Sequence, residues 1–390
     1  MITLATRMSR LGTESAFEVL AKARALEAQG REIVHLEIGE PDFDTPPHII
    51  DAACEALRSG ATHYTPSAGI PQLREAIAEE ISRTRNQPVD VAQVVVTPGA
   101  KPIMFFVILA LAEEGTEVIY PNPGFPIYES MIDFVGAKAV PLPLREERDF
   151  RFDVNELKDL ISDRTRLIIL NSPQNPTGGI LEREDLAAIA EICVERNIPV
   201  LADEVYEHIL YDGTFESIST FPGMSTSERT IILHGFSKTY AMTGWRLGYG
   251  VMPVPLAEQV TRLMTNSNSC TSAATQFAGV AALKGPQDSV TEMVEAFRQR
   301  RDLIVEGLND LPGVTCVKPR GAFYVFPNIS GTGMDSRTAE AFFMDRAGVA
   351  CLSGAAFGEY GEGYLRLSYA NSMENIQKAL DNMRRALEDR

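Results

Sequence analysis

The sequence predicts an α/β fold: a mostly parallel central sheet with helices on both faces, and a smaller α+β domain. Three observations lead there. Short apolar runs rich in valine and isoleucine recur between residues 93 and 251. Segments with helical periodicity separate most of them, and polar or turn-forming residues follow most runs. Uninterrupted apolar strands alternating with helices belong to a parallel sheet buried on both faces.

In chain order, residues 15–29 carry a helical period and stop at Gly30, a residue suited to a helix end. Residues 33–38 read as a strand, 39–46 as a turn-rich loop and 47–59 as a helix. A loop at 63–71 leads into a helix from Gln72. Strands are predicted at 93–97, 117–121, 166–171, 199–203, 230–233 and 247–251, and helices at 100–112, up to Gly136 and at 182–197. The character changes after about residue 255. A long helical region runs through Arg301, followed by strand candidates at 314–317, 322–326 and 364–369 among helices.

Composition narrows the function classes. The 390 residues carry a formal net charge of −17, which argues against nucleic acid or an acidic membrane as partner. The five cysteines, Cys54, Cys193, Cys270, Cys316 and Cys351, are scattered singly and form no CxxC pair, so no metal site is expected. They read as small buried residues in a reducing compartment. The longest apolar run, 103–112, is too short to cross a bilayer, and the first residues lack a secretory apolar segment. A cytoplasmic protein is expected.

The stretch 235–248, GFSKTYAMTGWRLG, follows an apolar strand and places Lys238 at its exit. Open α/β sheets carry their ligands at such strand ends. An unprotonated lysine is an amine nucleophile, and Arg246 could hold an anion nearby. Two solvated cations in a loop would look the same.

Other strand exits carry further polar groups. Gly99, Ala100 and Lys101 open a helix whose free N–H groups favour phosphate, although any strand-to-helix turn needs small residues. Phe125 could stack on a heterocycle or fill the core. Asn175, in NSPQNPTG, could donate to a phenolate or carboxylate, or simply form an Asn-Pro turn. Asp203 ends PVLAD, where a buried carboxylate needs a partner: a pyridinium N–H, a salt bridge or a helix cap. Tyr206 could reach the same ring or pack in the core. Anion turn, aromatic, amide, carboxylate, tyrosine, lysine and arginine, in that order, supply every role a pyridoxal phosphate site needs.

With these residues in view, the chain resembles the class I aminotransferases of the aspartate aminotransferase superfamily (fold type I) over nearly its whole length. The segments YTPSAGIPQLR, NSPQNPTG, ADEVY, GFSKTYAMTGWRLG, GAFYVF and YLRLSYA carry the resemblance in order. It implies a large cofactor domain over 46–285 and a small domain from 1–45 and 286–390. It implies pyridoxal 5'-phosphate, with Lys238 as Schiff-base lysine and proton carrier, Asp203 on the pyridine nitrogen, and Tyr206 and Asn175 on the phenolic oxygen. Phe125 would stack on the ring. Gly99, Ala100, Lys101, Ser237 and Arg246 would surround the phosphate, which Tyr64 would reach from the neighbouring subunit of a homodimer. Arg366 would grip the substrate α-carboxylate, with Asn175 and the backbone near Gly39 assisting. Cis peptides at Asn122-Pro123 and Asn175-Pro176 are implied too.

Two departures stand out. Gly235 replaces a serine common among relatives. Lys101 matches a position that helps hold a distal carboxylate in some aspartate-using relatives, but the stretch near the N-terminal helix reads GTESAF. Glu14 would oppose a second carboxylate or neutralise Lys101, and Phe17 suggests an apolar wall. The activity implied is ping-pong transfer of an amino group from an L-amino acid to 2-oxoglutarate or pyruvate. The same cofactor could serve a carbon–sulfur β-lyase, and the fold could serve a non-catalytic ligand sensor. No GxGxxG supports a dinucleotide enzyme.

Overall fold

A computed structural model describes residues 2–390. After the short strand β1 (Val34–His35), seven strands form the large sheet: β2 (Val94–Thr97), β3 (Glu117–Asn122), β4 (Lys138–Pro143), β5 (Thr165–Asn171), β6 (Val200–Asp203), β7 (Thr230–Gly235) and β8 (Gly248–Val251). Their spatial order is β2-β8-β7-β6-β5-β3-β4, and β8 runs antiparallel to both neighbours while the other pairings are parallel. The architecture is therefore α/β with a mostly parallel sheet, as the alternating pattern predicts.

Period-two side chains explain why both faces are covered. Leu167, Ile169 and Leu201 point into one apolar cluster with Ile103 and Val107 of the helix Lys101–Leu111. Ile168, Leu170, Val200 and Ala202 point into the other, with Leu186, Ile189 and Cys193 of the helix Arg183–Arg196. Each fully buried leucine or isoleucine contributes about 1.5–3 kcal/mol relative to exposure. The parallel register sets Asn171 beside Asp203 and Asp203 beside Leu233, so the carboxyl ends of β5, β6 and β7 open at one level.

The remaining strands are short. β9 (Tyr324–Val325), β11 (Leu352–Ser353) and β12 (Leu365–Ser368) form an antiparallel three-stranded sheet, and β1 pairs in parallel with β10 (Val349–Ala350). The helices Asp288–Asn309 and Met373–Glu388 bury Phe297, Ile304, Ile376 and Leu380 against them.

Four expectations change. The strand over 33–38 shrinks to two residues because β10, its one partner among the described residues, is equally short. Residues 314–317 form no strand; Thr315 makes one isolated bridge to Asn328. The long helical region is three helices, Val254–Ser267, Ala273–Lys284 and Asp288–Asn309, the last set off by Gly285, Pro286 and Gln287. β4 adds a strand in which Pro141 and Pro143 mask the pattern; prolines are tolerated there because β4 lies at the sheet edge. No helix among the described residues is long and apolar enough to cross a membrane.

Candidate active site

The carboxyl ends of β5, β6 and β7 open into a cavity of about 1090 Å³, lined also by the Ser15–Glu27 helix, the 38–42 turn and β12. The strand-exit residues Asn175, Asp203, Tyr206, Ser237, Lys238 and Arg246 line it, with Ala100, Lys101, Phe125, Gly39 and Arg366. Two predicted residues do not. Gly99 lies behind Arg246, and Tyr64 is 90% exposed on its loop.

Lys238 Nζ donates to the Gly39 carbonyl at 2.5 Å and lies 5.6 Å from the Phe323 ring centroid. Burial, reinforced by the positive charge of Arg366, lowers its pKa to about 8. Gly39 lets the Tyr324 hydroxyl pack against the same turn, since a Cβ there would collide with it.

Arg366, on β12, is 4% exposed. Its Nη1 donates to Asn175 Oδ1 at 3.3 Å and its Nη2 to the Glu37 carbonyl, while its buried Nε has no partner. The guanidinium rests 4.6 Å from the Tyr324 ring centroid and 5.1 Å from that of Phe357. Among the described residues, no carboxylate forms an ion pair with it. A desolvated guanidinium in this state is a strong receptor for a planar carboxylate.

Asp203 is the mirror case, a buried carboxylate whose Oδ2 accepts from the Tyr128 hydroxyl at 2.5 Å. Burial raises its pKa to about 6, against the hydrogen bond. Tyr206 shares a 2.7 Å hydrogen bond with Tyr324 and packs edge-on to Phe323. Phe125 packs edge-on to Tyr128. Gly99, at φ +90°, brings its turn against Arg246, whose guanidinium would collide with a Cβ at that position. The Lys101–Leu111 helix begins beside this turn, and its first N–H groups lack intrahelical acceptors.

The Lys101 side chain forms an ion pair with Glu14. Of the two fates open to Glu14, neutralising Lys101 is the one seen. The Asn122-Pro123 and Asn175-Pro176 peptides are cis, as the resemblance implies, and so is Ser172-Pro173.

The profile of aminotransferase classes I and II matches residues 31–383. The chain belongs to this aminotransferase family. A probable aspartate/prephenate aminotransferase of Aquifex aeolicus is 41% identical over 393 aligned positions, covering 99% of each chain. Aromatic-amino-acid aminotransferase 2 of Thermococcus litoralis is 41% identical, covering 93% of this chain and 94% of its own. The structure of Thermus thermophilus aspartate aminotransferase with maleate superposes with a TM-score of 0.95 at 37% identity, over 99% of this chain and 100% of that one. The protein is thus a pyridoxal-phosphate-dependent enzyme that transfers amino groups.

Three residues of this aminotransferase's site were not singled out from sequence. Tyr128 lies one helical turn beyond Phe125, a spacing that carries no signal of its contact with Asp203. Asn171 clamps the loop after β5: its side chain donates to the carbonyls of Pro173 and Asp203 at 3.3 and 3.1 Å and accepts from the Asn175 N–H at 2.9 Å. Tyr324 was legible only as part of GAFYVF.

Glu207, His208 and His234 bring ligand-type atoms within 4.8 Å of one another. The Gly235 N–H donates to His234 Nδ1 at 2.8 Å, which leaves the ring proton on Nε2, facing Glu207. Arg85 already pairs with Glu207. The cluster is an ion-pair network rather than a metal site.

Proposed function

We propose that this aminotransferase moves the amino group of an L-amino acid to a 2-oxo acid, 2-oxoglutarate or pyruvate, in two half-reactions that use one cavity in turn. One observation carries the reading: Arg366, a buried guanidinium without a carboxylate, shares the cavity with Lys238, an amine of lowered pKa. Arg366 takes the substrate α-carboxylate in a fork, assisted by Asn175 and the backbone at Gly39. Lys238 is neutral in a larger fraction than an exposed lysine at neutral pH, so its Nζ can take the Cα proton and later return it.

Pyridoxal phosphate, when bound, supplies the carbonyl that accepts the amino group and an electron sink for charge developing at Cα. The residues fit it. Asp203 is a buried carboxylate lacking a cation, which suits a ring N–H. Tyr206 and Asn175 would hold the phenolic oxygen and Phe125 would cover the ring. The turn at Gly99, Ala100 and Lys101, with Ser237 and Arg246, would hold the phosphate; Lys101 would contribute its backbone N–H, since its side chain is paired with Glu14. Lys238, Asp203 and Tyr206 form the catalytic set.

The exposure of Tyr64, and of the apolar residues Ile2 and Leu4, supports a homodimer in which Tyr64 reaches the partner's phosphate site. We assign residues 46–285 to the large domain and 1–45 with 286–390 to the small one, in the cytoplasm. A panel of amino donors against 2-oxoglutarate and pyruvate tests the activity. Without an acceptor, product oxo acid should stop at about one equivalent per site; continued turnover should need the acceptor. Pyruvate and ammonia released from cystathionine without an acceptor would instead assign a lyase.

A further inference from the structure

Glu14 precedes the Ser15–Glu27 helix in an extended conformation (φ −94°, ψ 120°), and its side chain makes no cap bond. The carboxylate turns into the cavity and pairs with Lys101. Lys101 Nζ also lies 5.3 Å from the Phe125 ring centroid, so the pair borders the wall that a substrate side chain would meet. The negative charge of Glu14 is felt at Lys238, Tyr324 and Arg366, which agrees with its inward direction. One turn on, Phe17 and Leu20 line the same wall, and Phe17 remains 63% exposed.

The structure shows the paired state of the cavity, and rotation of the Glu14 side chain would give a second. With Glu14 on Lys101 the wall is neutral and bordered by apolar side chains. With Glu14 turned out, Lys101 offers an ammonium in addition to Arg366. The lysine is half open to solvent, at 50% side-chain exposure, and ion pairs of this kind are weak. An incoming carboxylate can replace Glu14, whereas an uncharged side chain leaves the pair intact.

We propose that Glu14 is a specificity-determining counter-ion that occupies the place of a substrate's second carboxylate on Lys101. Amino acids with uncharged, apolar or aromatic side chains bind with the pair closed. Dicarboxylic acids bind by displacing Glu14, so one cavity serves both partners of a transamination. This rests on the reading of the cavity as the substrate pocket.

The test titrates the holoenzyme with maleate and with 3-phenylpropionate, following the cofactor absorbance to obtain each Kd. In E14Q and E14A the maleate affinity should rise about tenfold or more relative to that of 3-phenylpropionate, because a like charge has been removed. The gain should disappear when K101M is combined with either variant. An unchanged ratio, or a gain that persists in the K101M background, overturns the assignment of Glu14. A wild-type holoenzyme that responds to neither anion overturns the reading of the cavity itself.

Discussion

Tyr128 donates a 2.5 Å hydrogen bond to Asp203 Oδ2 in the wall of the cavity. It is the one side-chain donor bonded to that buried carboxylate among the described residues. The arrangement holds Asp203 in place and opposes the rise in pKa that burial imposes.

Tyr128→Phe should therefore raise the Asp203 pKa above its value of about 6. A hydrogen bond to a charged group is worth about 1.5–3 kcal/mol, which corresponds to about one to two pH units. Pyridoxal phosphate uptake by the apoenzyme should then fail at correspondingly higher pH. A midpoint equal to that of the wild type would show that Tyr128 leaves Asp203 untouched.

Arg366→Met should lower kcat/KM for amino acids by about thirtyfold or more, since loss of a buried charge-assisted fork costs about 2–5 kcal/mol. A second effect follows from the sign of the charge. Arg366 depresses the Lys238 pKa, so its removal should move the Lys238 amine above about 8, with burial still holding it down. The pH dependence of amine labelling at Lys238 in the apoenzyme checks this; a downward move would be the wrong sign.

Arg85 donates to Glu204 Oε2 at 2.7 Å and also pairs with Glu207, on the turn that carries Tyr206. Arg85→Leu leaves two buried carboxylates uncompensated and should cost about 3–5 kcal/mol at pH 7. Burial pushes Glu207 up, but Arg85 and His234 together hold it below the usual carboxylate range. A depressed folded pKa gives stability above the unfolded value that is lost as pH falls. Without Arg85, burial raises both carboxylates in the variant, so the gap should begin to shrink above pH 4.5 and continue to shrink below it as wild-type Glu207 loses its advantage. Urea unfolding at several pH values measures it, and a gap that widens on acidification would refute the account.

Much of this was legible in the sequence because the site lies at strand exits. There an apolar run stops and a polar residue follows, as at Asp203 and Lys238, and the parallel register then brings those exits together. What escaped detection depends on long-range contacts. Tyr128 meets Asp203 across 75 residues, and Arg85 meets Glu204 across 119. Glu14 could be placed near Lys101 only through family resemblance, which left its partner undecided. The short strands β1, β9 and β10 have two residues each, so their existence depends on partners rather than on pattern. The expected strand over 314–317 had suitable residues but found only a bridge at Thr315.

The central claim is that Lys238 is the amine that engages the cofactor. Borohydride reduction of the holoenzyme, followed by peptide mapping, tests it most directly. The reduced cofactor should be found on the peptide containing Lys238 and on no other. Label on Lys101, on another lysine or on none would contradict it.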